Sequence, residues 1–210
     1  MLALLHTSPV HVPVFDALRD EDHPGLTLRH LVHEDLLARA GEDGPEAVAP
    51  AVAAVLAGAV AQGATVVLCT CSTIGAVAEA SAADLGVPVL RVDRPMAAAA
   101  AERRRIVVVA AVVSTLEPTA ALIREEAVDR IVELRTLLVE GAWERFEAGD
   151  RAGYLDAVAA AVDGVREADV SVLAQASMAD AAARTATAVP VLSSPRPGLR
   201  AAAAATASGS

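Results

Sequence analysis

Short uninterrupted runs of Val, Leu and Ala alternate along this chain with longer stretches in which apolar residues return every three or four positions. The runs predict strands over about residues 1–6, 26–32, 64–70 and 105–112. Further strands are expected at the two VPVL segments, Val87–Leu90 and Val189–Leu192, and leading into VLAQAS, Val172–Ser177. A stretch at about 130–134 is either another strand or part of a helix. The longer stretches predict helices, including one over about 46–61 and two opened by Pro13 and Pro118. Strands that are apolar at every position belong in a parallel sheet covered by helices on both faces.

The same pattern is written twice. Pro13, Arg19 and Glu21 in HVPVFDALRDE recur as Pro118, Arg124 and Glu126 in LEPTAALIREE, each 105 residues on. VLCTCS, Val67–Ser72, recurs as VLAQAS at the same separation, and each copy ends in VPVL followed by Arg-Pro, at Arg94-Pro95 and Arg196-Pro197. The expected architecture is therefore α/β: two similar α/β/α, flavodoxin-like halves with parallel sheets, related by a pseudo-twofold axis. Residues 1–95 with 193–210 form the first half, and 96–192 the second. In such sheets ligands bind at the carboxyl ends of the strands, so two facing halves would put both sets of strand-end loops around one cleft.

The segment from Ala47 to Ala78 carries no charge and is long enough to span a bilayer. Pro50, Gln62 and Gly63 interrupt it, and its second copy contains Asp163, Arg166, Glu167 and Asp169, so a buried helix and strand are expected instead. The opening MLALLHTSPVHVPVFD has neither a basic flank nor a small-residue cleavage site, so no signal peptide is expected and the location is cytoplasmic. Hydrophobic residues make up 54% of the 210 positions but aromatics only 2%, so the core must be built from Ala, Val and Leu. A net charge of −10 with no basic cluster beyond Arg103-Arg104-Arg105 excludes a phosphate-binding face for nucleic acid.

Chemistry concentrates in VVLCTCSTIGAVAE, Val66–Glu79, which holds both cysteines of the chain, Cys69 and Cys71. One residue apart, they form no ordinary disulfide framework. Cys69 falls inside the strand and reads as packing. Cys71 falls at the strand-to-helix turn, where helix-start amides would lower its pKa and make a thiolate available near neutrality; as a bare residue it reads equally as a small buried filler. Small hydroxyls crowd the strand ends, at Thr7-Ser8 after His6, Ser72-Thr73, Ser114-Thr115 and Gln175–Ser177. They are read either as helix caps or as a carboxylate pocket of hydroxyls and amides.

These residues carry a resemblance. Cys71-Ser72-Thr73, the VAAVVSTLEPT segment at Val109–Thr119, and VPVLRVDRPM and VPVLSSPRPG resemble the aspartate/glutamate/hydantoin racemase family, which includes arylmalonate decarboxylase. The resemblance covers nearly the whole chain. It implies two α/β halves, an isomerase that needs no cofactor, a small carboxylate substrate, no nucleic-acid or membrane partner, and a homodimer or higher homo-oligomer. It also implies thiol chemistry at a carbon next to a carboxylate: one cysteine takes the α-proton and another returns one to the opposite face. Cys71 would be the acid/base, with Thr7, Ser8, Ser72, Thr73, Ser114, Thr115, Gln175 and Ser177 binding substrate.

The chain departs from that pattern. At a separation of 105 the counterpart of Cys71 is Ala176. Chemistry on one face with a single thiol, a substitute base among His6, His33, Gln175 and Ser177, decarboxylation, or binding without turnover remain the open outcomes. His30 and His33 with Glu34-Asp35 do not make a recognised metal-ligand spacing, Trp143 and Phe146 read as helix packing, and the low-complexity tail AAAAATASGS is expected to fray at its end.

Overall fold

A computed structural model of the chain describes residues 1–208. The chain divides into two compact units, one formed by Met1–Val92 with the segment beginning at Pro195, the other by Asp93–Ser194.

The first unit runs β1 (Leu2–His6), α1 (His11–Asp22), β2 (Leu28–Val32), α2 (Glu34–Asp43), a 3-10 turn at Pro45–Val48, α3 (Ala49–Ala61), β3 (Val66–Cys69), α4 (Gly75–Ala80), α5 (Ala82–Leu85) and β4 (Val89–Arg91). The second runs α6 (Arg94–Ala100), β5 (Arg105–Ala110), α7 (Val113–Ala127), β6 (Glu133–Leu138), α8 (Ala142–Glu147), α9 (Arg151–Asp163), β7 (Val170–Leu173), a 3-10 segment at Ala176–Arg184 and β8 (Val191–Ser193). The chain then rejoins the first unit as α10 (Pro195–Ser208). Each unit holds one four-stranded parallel sheet, in the orders β2-β1-β3-β4 and β6-β5-β7-β8.

The continuous apolar runs are explained by burial on both faces. In β1, Leu2 and Leu4 pack with Phe15, Val66, Leu68, Leu199 and Ala202, while Ala3 and Leu5 pack with Val52, Leu56, Val67, Cys69 and Ile74. Each fully buried Leu of this kind contributes about 1.5–3 kcal/mol. In the second sheet, Ile106 and Val108 join Leu122 and Ile123, and Val107 and Val109 join Tyr154, Leu155 and Val158 on the other face. The uncharged Ala47–Ala78 run is spent on the 3-10 turn, α3, β3 and α4. No helix among the described residues is long and apolar enough to cross a membrane.

Two local expectations change. The ambiguous stretch near 130–134 is β6, displaced to Glu133–Leu138 and in register with all six residues of β5; as a sheet edge it is half exposed, which blurs its apolar period. Pro118 does not open a helix: α7 begins at Val113, and Pro118 lies inside it, unable to return an N–H to the carbonyl of Ser114. The Ala-rich tail is helical to Ser208, and Leu199 and Ala202 of the same helix are buried; the end of the tail expected to fray, Gly209 and Ser210, lies outside the described residues.

Candidate functional site

In the order β2-β1-β3-β4 the chain leaves β1 toward one edge and returns through β3 on its other side, so the carboxyl ends of β1 and β3 are the switch point at which a parallel sheet opens a crevice. His6-Thr7-Ser8 leaves β1 there, and Thr70-Cys71-Ser72-Thr73 leaves β3. The two ends are stitched together: the Thr70 N–H and hydroxyl both donate to the Leu5 carbonyl, at 2.9 and 3.0 Å. Cys71 is the first residue beyond that stitch. It is partly exposed and rests on the core around Leu5, Cys69 and Ile74. Cys69 is fully buried, its Sγ 3.6 Å from the Cys71 carbonyl oxygen.

The helix expected to aim its amides at Cys71 is short and late. α4 starts at Gly75, four residues on, and is six residues long. The N-cap residues of α1, α4 and α7 (Val10, Ile74 and Val112) make no side-chain cap, whereas Asp150 caps α9, accepting from Gly153 N at 2.9 Å. Thr7, Ser72 and Thr73 are buried at the loops and Ser8 is half-buried.

His6 cannot serve as a base that touches substrate. It is fully buried, with Nδ1 2.8 Å from Thr70 Oγ1 and Nε2 2.8 Å from His30 Nδ1. Burial, with His11 and His30 nearby, lowers its pKa to about 3, so it is neutral at ordinary pH. His33 stands at the end of β2 and donates its backbone N–H to the His6 carbonyl at 2.9 Å.

The sequence reading passed over Arg91. It ends β4, pairs in register with Cys69 and is only 4% exposed. A Cβ at Gly75 would come within 2.8 Å of Arg91 Nε, so the glycine that opens α4 makes room for this guanidinium beside the cysteine loop. The legible signal was an arginine closing an otherwise apolar VPVL strand.

At the equivalent switch point of the second unit, between β5 and β7, Gln175 Oε1 accepts from the N–H groups of Ala111 and Val112 at 2.6 and 3.3 Å. Ser177 Oγ lies 2.8 Å from the Tyr154 hydroxyl. Ser114 is half-buried and Thr115 buried in the first turn of α7. Strand pairing corrects the residue register of the repeat. Thr70 N donates to Leu5 O and Ala174 N to Val109 O, which makes Gln175, not Ala176, the counterpart of Cys71.

No family model and no curated protein matches the sequence. Solved structures do. Glutamate racemase isoform RacE1 from Bacillus anthracis superposes with a TM-score of 0.76 at 15% identity, covering 100% of this chain and 82% of that one. Glutamate racemase from Thermus thermophilus, in complex with beta-chloro-D-alanine, gives 0.71 at 20% identity, covering 99% and 81%. The fold is that of the glutamate racemases. Arylmalonate decarboxylase shares it, with a TM-score of 0.58 at 18% identity over 100% and 92% of the two chains. The two parallel α/β sheets drawn from the sequence are thus those of the racemase fold.

Proposed function

We propose that this chain is a cofactor-independent enzyme of the racemase type, acting at the α-carbon of a small carboxylic acid or amino-acid derivative with Cys71 as its acid/base. The observation that carries the reading is the contrast between the two thiols: Cys71 is partly exposed beyond the stitched ends of β1 and β3, whereas Cys69, two residues earlier, is sealed. The neighbours that share the fold are glutamate racemases and a decarboxylase, one of them bound to D-glutamate and another to a chloroalanine.

The Cys71 thiolate takes the α-proton: the C–H bond breaks, S–H forms, and the electron pair spreads into the adjacent carboxylate. Hydroxyls and amides of Thr7, Ser8, Ser72 and Thr73 are the donors that would hold that carboxylate in the first unit. Ser114, Thr115, Ser177 and the amide of Gln175 offer the same kind of donor at the strand ends of the second. Because Gln175, which does not titrate, stands where a second thiol would, the proton is removed and returned on one face. In a malonate the same thiol would protonate the carbanion left when CO₂ departs, and the likeness to arylmalonate decarboxylase supports including that substrate class.

The test is incubation of amino acids, hydantoins and malonates in D₂O. Deuterium at the α-carbon without inversion, or release of CO₂, lost in Cys71→Ala, is the expected result. Racemisation would reveal a second base, and exchange that survives in Cys71→Ala would remove the cysteine from its role. Silence across the panel would favour a small-acid binding protein.

A further inference from the structure

Four polar side chains form a row along the α1 side of the first sheet. Thr70 follows β3, His6 ends β1, His30 lies in β2, and Asp16 reaches in from α1. The contacts run in sequence: Leu5 O to Thr70 Oγ1 3.0 Å, Thr70 Oγ1 to His6 Nδ1 2.8 Å, His6 Nε2 to His30 Nδ1 2.8 Å, His30 Nε2 to Asp16 Oδ1 3.4 Å. The groups facing His6 are His11 and Phe15 from α1, His30 from β2 and Thr70 from β3, with Asp16 beyond His30 and paired to Arg19 at 3.2 Å.

The contacts between Leu5 and His30 allow one consistent direction of donation. The Leu5 carbonyl only accepts, so the Thr70 hydroxyl donates to it. Thr70 Oγ1 therefore accepts from His6, which must carry its proton on Nδ1. His6 Nε2 then offers a lone pair and accepts from His30 Nδ1–H. One polar direction runs from His30 to the fully buried backbone carbonyl of Leu5.

We propose that His6 is a positioning residue for Cys71: held as the Nδ1–H tautomer by Thr70 and His30, it clamps Thr70, and with it the backbone from which the next residue, Cys71, projects. This role rests on Cys71 being the reactive group. The sulfur itself packs toward the Leu5, Cys69 and Ile74 side, so the row acts on it through the Thr70 main chain and not by contact. A histidine is suited to the place because its two nitrogens join β2 to β3 across β1, a span no aliphatic side chain could bridge with hydrogen bonds.

The experiment has two readouts that do not depend on substrate. Imidazole ¹⁵N spectra of the wild-type protein, with His6 assigned by its absence in His6→Asn, are expected to show His6 with the proton on Nδ1. The rate at which iodoacetamide labels Cys71, located by peptide mass and followed from pH 6 to 9, is expected to change by about threefold or more in Thr70→Val, because small displacements of a reactive group are costly. Thr70→Ser, which keeps the hydroxyl, should stay within about twofold of wild type. A His6 protonated on Nε2, or a Thr70→Val protein labelled at the wild-type rate across the pH range, overturns the assignment. Should Thr70→Val not fold, the tautomer in the wild-type spectrum still decides. Altered labelling together with silence in α-carbon exchange would keep the clamp and remove the proposed reaction; unaltered labelling with active exchange would do the reverse.

Discussion

Cys71 and Gln175 hold the same place in the two sheets: each follows a residue whose N–H closes the last hydrogen bond between the two central strands, Thr70 to Leu5 O and Ala174 to Val109 O, both at 2.9 Å. One side chain is left partly exposed. The other turns back, its carbonyl oxygen taking the N–H groups of Ala111 and Val112. Gln175 is therefore a structural tie for the β5–α7 turn. Gln175→Ala strips the acceptor from two backbone donors and is expected to cost about 1–3 kcal/mol in urea denaturation. Gln175→Glu keeps acceptor oxygens in place and should lie closer to wild type. Equal stability of the Ala variant would show that water replaces the tie without cost.

The two thiols should separate cleanly by reactivity. Cys69 is 0% exposed within the core and Cys71 is not, so a thiol reagent applied to the folded protein should modify Cys71 alone, with Cys69 reacting only in denaturant. Cys71→Ala removes a partly exposed side chain and should change stability by about 0.5 kcal/mol or less, while abolishing any α-carbon exchange. A large loss of stability instead would mark Cys71 as a packing residue.

Much of this arrangement was legible in the residues because burial on both faces writes parallel strands as unbroken apolar runs, as in LALLH and VVLC. The doubling was legible too, although not to the residue: only strand pairing resolves whether Ala176 or Gln175 answers Cys71. His6 was picked out as a proton carrier on its ordinary pKa; that both of its nitrogens are taken depends on His30 and Thr70, which lie 24 and 64 residues away in sequence. Arg91 was hidden for a similar reason, since its burial follows from Gly75 on the neighbouring helix. The edge strand β6 and the tail helix α10 were blurred because half of each faces solvent.

Acid should unfold the protein partly through His6. Its pKa is about 3 when folded and about 6.5 when unfolded, so below pH 6.5 the unfolded chain binds a proton that the folded chain refuses. Stability contributed by this group is complete near neutrality and is lost as pH falls through that window, saturating below about pH 3. Between pH 7 and 5.5 the loss attributable to His6 is expected to be about 1 kcal/mol. Urea denaturation of wild type and His6→Asn at both pH values isolates it, because every other titrating group is common to the two proteins. A pH dependence identical in both would mean that His6 is protonated in the folded state as readily as in the unfolded one.

Two glycine-to-alanine changes should move stability in opposite directions. In a helix the exchange ordinarily stabilises by up to about 1 kcal/mol, because alanine has fewer backbone conformations to lose. At Gly58, in α3, an added Cβ meets nothing within 4 Å, so Gly58→Ala should show that gain. Gly198, in the first turn of α10, lies directly against Val92, and a Cβ there would lie 2.9 Å from the Val92 Cα and against its carbonyl oxygen. Backbone cannot yield as a flexible side chain can, so α10 would have to lift from the end of β4. That displacement would loosen Leu199 and Ala202 from Leu2, Leu4 and Phe15, and would strain the pairing of Arg196 with Glu21 and Asp22, each at 2.6 Å. Overpacking of this kind costs about 1–3 kcal/mol and outweighs the entropic gain. Urea denaturation of the two variants measures both signs. A stabilised Gly198→Ala would mean that α10 docks with slack, and that the first unit does not depend on close closure by the end of the chain.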